Sequence, residues 1–103
     1  MVSVETKNNT INNTSTSKSI LTERELEYLV LVAIGCHNSQ IAKELGVCYY
    51  TVKKTLELIF SKLHAKDRAN AVALAFIHGI LNSNVLVSVV HKLGYDQEKL
   101  LVK

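Results

Sequence analysis

Residues 41–54 read IAKELGVCYYTVKK and carry the strongest signal for the arrangement of helices in this chain. Ile41 and Leu45 lie about one turn apart on a short helix predicted over residues 38–45. Gly46 follows at the position where a helix ends in a left-handed residue. A further helix is predicted directly after this glycine, so the segment indicates two helices joined by a tight turn.

The helix after the turn is predicted to begin at Cys48 or Tyr49 and to end near Leu63. Apolar side chains recur on one of its faces at the helical period. This face comprises Val52, Leu56, Ile59, Phe60 and Leu63. The opposite face comprises Tyr50, Lys54, Glu57 and Ser61, with Lys53 on its flank. The helix is therefore expected to bury one side and to present a polar side.

The chain before this segment carries a clear signal for the start of a helix. Thr22 precedes Glu25 by three residues, which is the spacing of a capping box, and predicts a first helix over residues 23–34. Residues 1–20 are mostly polar and are predicted to be a disordered arm. Since the 103 residues include no proline and are 48% hydrophobic, the sequence favours one compact all-α domain.

Two further helices are predicted towards the carboxyl end. Asp67 would cap a fourth helix that continues to Leu81 and is apolar on nearly every side, so we expect a second copy of the chain to cover part of it. The residues expected at that dimer contact are Val72, Ala73, Phe76 and Ile77. Residues 83–103 are a C-terminal extension, in which we expect a fifth helix capped by Asn84 and ended by Gly94, and then a short helix from Asp96. The valines leave a β-strand open as the alternative.

Composition narrows the classes of function. The net charge of +3 permits a nucleic-acid partner without proving one. No apolar run is long enough to span a membrane and no secretory signal begins the chain, so we expect a cytoplasmic protein. The cysteines, Cys36 and Cys48, lack CxxC spacing, the histidines lack paired metal spacing, and no nucleophile is placed with a base. We therefore expect no metal, no cofactor and no enzymatic activity.

The two helices around Gly46 have the arrangement of a helix-turn-helix. Backbone N–H groups and a hydroxyl at the start of the second of them suit phosphate oxygens, lysines suit phosphate or guanine, and such a helix fits the major groove. Tyr50 is expected to donate its hydroxyl to a phosphate, whereas Tyr49 is expected to pack towards the apolar face. The pattern predicts double-stranded DNA as the partner.

The same residues resemble the LuxR-type (GerE-like) DNA-binding domain of bacterial transcription regulators. The similarity extends from Leu21 to about Leu81. The matching positions are Leu21, Thr22, Arg24, Glu25, Glu27, Leu29, Gly35, Asn38, Ile41, Ala42, Leu45, Thr51, Val52, Lys53, Ile59, Lys62, Leu63, Arg68, Ala71 and Val72. The resemblance implies a four-helix domain over residues 21–82, whose third helix recognises DNA and whose fourth forms a dimer contact.

The resemblance also implies roles for individual residues of the third helix. Thr51 would contact phosphate, while Lys53, Lys54 and Glu57 would occupy the positions that face the bases. A glutamate at such a position either accepts a hydrogen bond from cytosine N4 or repels phosphate and so restricts the set of targets.

Four positions depart from the family pattern, one of them Thr55, where histidine is common. Serine is usual where His37 and Cys48 stand, at the starts of the second and third helices, and glycine is usual where His64 stands. Asn38 would replace His37 as the cap of the second helix if that helix began one residue later. Cysteine is a weak hydrogen-bond acceptor, so Cys48 would be a weak cap for the third helix. A thiolate is favoured at a helix N-terminus near lysines, which gives the hypothesis that oxidation of Cys48 switches DNA binding off.

The sequence therefore predicts a stand-alone, dimeric, sequence-specific regulator of transcription, without a receiver or ligand domain. Two alternatives stay open. One is a sigma-factor region-4 module, although the matching positions from Lys62 to Val72 favour the LuxR type over it. The other is a protein-interaction module whose fourth and fifth helices bind RNA polymerase or another regulator.

Overall fold

The computed structural model describes residues 20–94, which form five α-helices and contain no strand. The helices are α1 (Glu23–Ala33), α2 (Asn38–Leu45), α3 (Tyr49–Leu63), α4 (Arg68–Ile77) and α5 (Ser83–Leu93). The prediction of an all-α fold is confirmed, and the strand alternative for the valine-rich segment is wrong. The predicted arm, apart from its last residue, and the chain after residue 94, with the short helix predicted from Asp96, lie outside the described residues.

The predicted capping box begins α1. Thr22 Oγ1 accepts a hydrogen bond from the Glu25 N–H, and Glu25 Oε1 accepts one from the Thr22 N–H, each at 3.0 Å. Glu25 Oε1 also accepts a hydrogen bond from Lys62 Nζ of α3 at 2.8 Å. Burial alone would raise the pKa of Glu25, but the hydrogen bonds from Lys62 and Thr22 hold it below its ordinary value. The carboxylate thus both caps α1 and ties it to α3.

The fourth helix is shorter than the sequence predicts. Asp67 caps it as expected, since its Oδ1 accepts a hydrogen bond from the Asn70 N–H at 2.8 Å. The helix ends at Ile77 rather than at Leu81, because Gly79 takes a left-handed conformation with φ of 76° and turns the chain. Leu81 is nonetheless buried. Leu81 therefore continues the apolar pattern because its side chain is buried, although the residue lies in the turn after the helix.

The fifth helix begins earlier than predicted. Asn82, and not Asn84, is its cap, with Oδ1 accepting a hydrogen bond from the Val85 N–H at 2.9 Å. Both asparagines are capable caps, so sequence alone does not choose between them. The extended backbone of Asn82, with φ of −156°, makes it the residue from which the helix starts.

The first helix lies at the centre of the fold and contacts each of the other four. Leu29, Val30 and Leu31 are buried on it in succession, so more than one of its faces is covered. The extension helix α5 packs on α1 and buries Val89 and Val90. It therefore belongs to the same packed unit as the helix-turn-helix.

The end of α3 carries a conformation that favours glycine. His64 has φ of 57° and is the one non-glycine residue with positive φ among residues 20–94. A left-handed residue with a Cβ costs about 1–2 kcal/mol, whereas glycine loses about 0.5–1 kcal/mol more chain entropy. We expect His64→Gly to raise the free energy of unfolding by about 0.5–1 kcal/mol, measured by urea denaturation.

A second histidine provides the matched control. His78 also follows a helix, α4, but its φ is −88°, where an L-residue is not strained. His78→Gly should therefore give no gain in stability. An equal gain from both substitutions would show that left-handed strain at His64 is not the cause.

Candidate nucleic-acid interface

The turn between α2 and α3 is held by backbone geometry and by one side chain from α1. Gly46 adopts a left-handed conformation, with φ of 68°, and ends α2. The Val47 N–H returns to the Ala42 carbonyl oxygen at 3.0 Å. Arg24 Nη2 donates to the Leu45 carbonyl oxygen at 3.1 Å. These contacts fix the direction in which α3 leaves the turn.

The apolar side of α3 faces the core as predicted. Its buried residues are Val52, Leu56, Ile59 and Leu63. The five residues predicted to contact DNA all lie on exposed positions of the same helix, namely Tyr50, Thr51, Lys53, Lys54 and Glu57. Leu58 is exposed beside them. The third helix therefore has one face free to enter a groove, while the contacts of these residues with DNA stay predictions.

Three of the predicted residues meet around the Lys54 ammonium group. Lys54 Nζ lies 3.5 Å from Glu57 Oε1 and 5.7 Å from the centroid of the Tyr50 ring. The spacings are i, i+3 and i, i+4, which place side chains on one helix face. Because these groups are exposed to solvent, the ion pair and the cation–π contact are weak. Lys54 can therefore exchange Glu57 for a phosphate or base acceptor at little cost.

Cys48 and Thr51 form a pair at the start of α3. Cys48 is the cap residue, with an extended backbone, and its Sγ lies 3.2 Å from Thr51 Oγ1. The contact with the Thr51 hydroxyl is the largest influence that lowers the pKa of the exposed Cys48 thiol, although the thiol accepts no capping hydrogen bond from the backbone. The hydroxyl predicted to contact phosphate is thus next to the thiol.

Tyr49 does not pack as predicted, because it is 57% exposed, close to the 64% of Tyr50. It is the first residue of α3, and helical side chains lean towards the N-terminus of their helix. A side chain at the first residue of a helix therefore has little of that helix to pack on, which fits the exposure of Tyr49. Its position at the helix start was the signal for exposure, and the apolar periodicity alone missed it.

The start of α2 also differs from expectation. His37 remains the cap residue, and its N–H donates to Gln40 Oε1 at 2.8 Å. Asn38 does not take over as the cap, because its Oδ1 accepts a hydrogen bond from Arg68 Nη1 at 2.9 Å. Arg68 Nη2 also donates to the Cys36 carbonyl oxygen at 2.6 Å. The guanidinium thus ties α4 to the connection between α1 and α2.

An ion-pair chain that the sequence did not reveal links α5 to α1. Glu27 is buried, and its Oε1 accepts from Arg24 Nη1 at 3.0 Å while its Oε2 accepts from Lys92 Nζ at 2.7 Å. The hydrogen bond from Lys92 is the largest influence that lowers the pKa of Glu27, against the effect of burial, and the same contact raises the pKa of Lys92. No periodic pattern connects residues so far apart in the chain.

The predicted dimer contact lies on α4. Ala71 and Ala75 face the core, whereas Phe76 is 43% exposed and Ile77 is 73% exposed. Ala73 is exposed as well, and Val72 packs in part against the protein's own core. The apolar surface needed for a contact is present, and the dimer stays a prediction.

Within residues 20–94, no three His, Cys, Asp or Glu side chains are grouped so that they could hold a metal ion. None of the five helices is both long and apolar enough to cross a membrane. Of the two thiols, Cys36 is buried and Cys48 is exposed.

Comparison with protein families connects this geometry to known proteins. The profile described as bacterial regulatory proteins, luxR family (GerE) matches residues 19–75. This chain belongs to the luxR family. The luxR-family match includes α1, α2, α3 and most of α4, and therefore the whole helix-turn-helix. It ends before α5, so Lys92 lies outside the matched segment, whereas its partner Glu27 lies inside it.

Curated relatives of this luxR-family chain share the same region. Proteins named response regulator protein VraR, from Staphylococcus aureus (strain Mu3), Staphylococcus saprophyticus and Staphylococcus epidermidis, are each 44% identical to it over 62 residues. The alignment covers 60% of this chain but only 30% of each relative, so the chain matches less than a third of their length. No solved structure gives a significant match.

Proposed function

We propose that this luxR-family chain is a sequence-specific DNA-binding regulator of transcription that places α3 in the major groove. The observation that carries the proposal is the exposed polar face of α3, which follows a helix-turn-helix within the family match. The relatives are named response regulators, which supports a regulatory role. Because the proposed partner is chromosomal DNA, we propose a cytoplasmic location.

The proposed mechanism divides the surface of α3 by chemistry. Backbone N–H groups of the first turn and the Thr51 hydroxyl would bind phosphate and fix the register of the helix. Lys53 and Lys54 would neutralise phosphate or donate to guanine, and Tyr50 would donate its hydroxyl to a phosphate. Glu57 is left to accept from cytosine N4, which adds discrimination between bases.

We further propose that the chain acts as a homodimer through α4. The exposed Phe76 and Ile77 would be covered by the same residues of a second copy, since a twofold contact is self-complementary. Two α3 helices related by this twofold would read half-sites about one helical turn apart. Such an arrangement gives a palindromic target.

Salt titration of duplex binding tests DNA recognition, and light scattering tests assembly. The logarithm of the affinity should fall linearly with the logarithm of salt concentration, with a slope of about −0.9 for each phosphate contacted. Light scattering should give the mass of a dimer, and of a dimer with one duplex when DNA is added. Genomic fragments retained by the protein would identify the target. No duplex binding, together with a stable complex with RNA polymerase, would support the protein-interaction alternative instead.

We propose Cys48 as a point of redox control, which is supported by its exposed thiol and lowered pKa. In reaction with hydrogen peroxide, the thiolate sulfur attacks one oxygen, an S–O bond forms as the O–O bond breaks, and hydroxide leaves. The cysteine is oxidised to sulfenic acid and the peroxide is reduced to water after protonation. A second molecule of peroxide oxidises the sulfenic acid to sulfinate and is itself reduced to water, which places a negative charge where phosphate is expected to bind.

Peroxide is therefore expected to weaken duplex affinity by about tenfold, because an anion at the helix N-terminus competes with DNA phosphate. Fluorescence anisotropy before and after peroxide treatment measures the change. Cys48→Ser should abolish the response, while Cys36→Ala should keep it, since Cys36 is buried. Equal affinity of the untreated and oxidised wild-type protein would rule redox control out.

A further inference from the structure

A chain of three hydrogen bonds runs from α5 to the turn of the helix-turn-helix. Lys92 on α5 donates to Glu27 Oε2 at 2.7 Å, and Arg24 Nη1 donates to Glu27 Oε1 at 3.0 Å. The other terminal nitrogen of Arg24 donates to the Leu45 carbonyl oxygen at 3.1 Å. Each link joins a charged group to its acceptor, and such hydrogen bonds are stronger than neutral ones.

The last link acts on the end of α2. Carbonyl groups in the last turn of a helix lack partners within the helix, and a cation there also interacts favourably with the helix dipole. Arg24 supplies both effects to Leu45. Gly46 and Val47 follow directly and lead into α3. The position of Arg24 therefore bears on the direction of the recognition helix.

Lys92 and Arg24 each bind one oxygen of the Glu27 carboxylate. A guanidinium tends to bind both oxygens of a carboxylate side by side, as a fork. Lys92 occupies Oε2 of Glu27, which leaves Oε1 for one nitrogen of Arg24 and directs the other nitrogen to Leu45. When Lys92 is absent, the fork on Glu27 competes with the hydrogen bond to Leu45.

We propose that α5 holds the helix-turn-helix turn in place through this relay, in which Lys92 and Glu27 are positioning residues that act through Arg24. Since α5 lies beyond the luxR-family match, the C-terminal extension adds this control to the family segment. The consequence for DNA affinity rests on the proposed function, whereas the effect on the turn does not.

The test begins with the full chain carrying Lys92→Ala. Lys92 is exposed, so the variant is expected to fold. Amide hydrogen exchange of Gly46 and Val47 should become about threefold to tenfold faster, and duplex affinity should fall by a similar factor. Lys92→Arg should restore both values, because it keeps a charged donor to Glu27. Unchanged exchange at both amides in the Lys92→Ala variant would overturn the proposal.

A double-mutant cycle separates the relay from simple loss of charge. In a chain that already carries Arg24→Ala, Lys92→Ala should have no further effect on exchange at the turn, since the last link is gone. Additive effects of the two substitutions would overturn the relay. Lys66→Ala removes the same charge from an exposed position and should leave exchange at Gly46 and Val47 unchanged.

The two readouts distinguish the two proposals. If the wild-type protein binds no duplex but Lys92→Ala still speeds exchange at the turn, the relay stands and the proposed function fails. If the wild-type protein binds DNA with the expected salt dependence and Lys92→Ala changes neither exchange nor affinity, the relay fails and the proposed function stands.

Discussion

Replacing Lys53 and Lys54 together by alanine is expected to weaken duplex binding by about 100-fold at moderate salt. Both side chains are exposed on α3 and away from its buried face, so the fold should not change. The loss arises because each ammonium group would neutralise a phosphate or donate to a base. Anisotropy titrations against one duplex over a range of salt concentrations provide the measurement.

The salt dependence should change along with the affinity. The slope of log affinity against log salt should become shallower by about 0.9 for each phosphate contact that is lost. Lys66→Ala is the single-charge control for Lys53→Ala, because Lys66 is exposed but precedes α4 rather than lying on α3. Equal losses of affinity from these two single substitutions would show that net charge, and not the α3 surface, drives binding.

Arg68→Ala is expected to lower the free energy of unfolding by about 3 kcal/mol. It removes two hydrogen bonds from a charged donor, and each such bond contributes about 1.5–3 kcal/mol, here taken at the lower bound because the guanidinium is only half-buried. The half-buried guanidinium donates to the Cys36 carbonyl at 2.6 Å and to Asn38 Oδ1 at 2.9 Å. Urea denaturation followed by circular dichroism measures the change.

Two further variants refine this prediction. Asn38→Ala removes only one of the two acceptors and should cost about 1.5 kcal/mol. Arg68→Lys keeps the charge but offers a single nitrogen, so it should fall between wild type and Arg68→Ala. A cost below about 1 kcal/mol for Arg68→Ala would mean that water replaces the guanidinium at both acceptors.

The helices around the turn could be predicted because their signals are local. The capping box at Thr22 and the glycine at Gly46 each fix a boundary within a few residues of chain, and α1, α2 and α3 follow the predicted ranges closely. The face of α3 also followed from periodicity, since Val52 and Ile59 are buried and Lys54 is exposed.

The errors arose where several local solutions compete or where the contact is distant. Two asparagines near the start of α5 offer equivalent caps, and only the backbone conformation selects Asn82. Leu81 fits a helical pattern and is buried, although it lies in the turn between α4 and α5. The contact of Lys92 with Glu27 joins positions 65 residues apart, and no spacing rule covers such a distance.

The central position of α1 has a consequence for synthesis of the chain. This helix is made first, yet the helices that cover it follow, and α5 ends at Leu93, which is 60 residues after Ala33. At a translation rate of about 5–20 residues per second, at least about 3 s pass between synthesis of α1 and synthesis of the last helix that covers it. Ribosome-bound chains stopped before α5 should therefore be digested by protease more readily than chains that extend well past it. Translation, rather than chain collapse, sets the earliest moment at which this domain can complete its core.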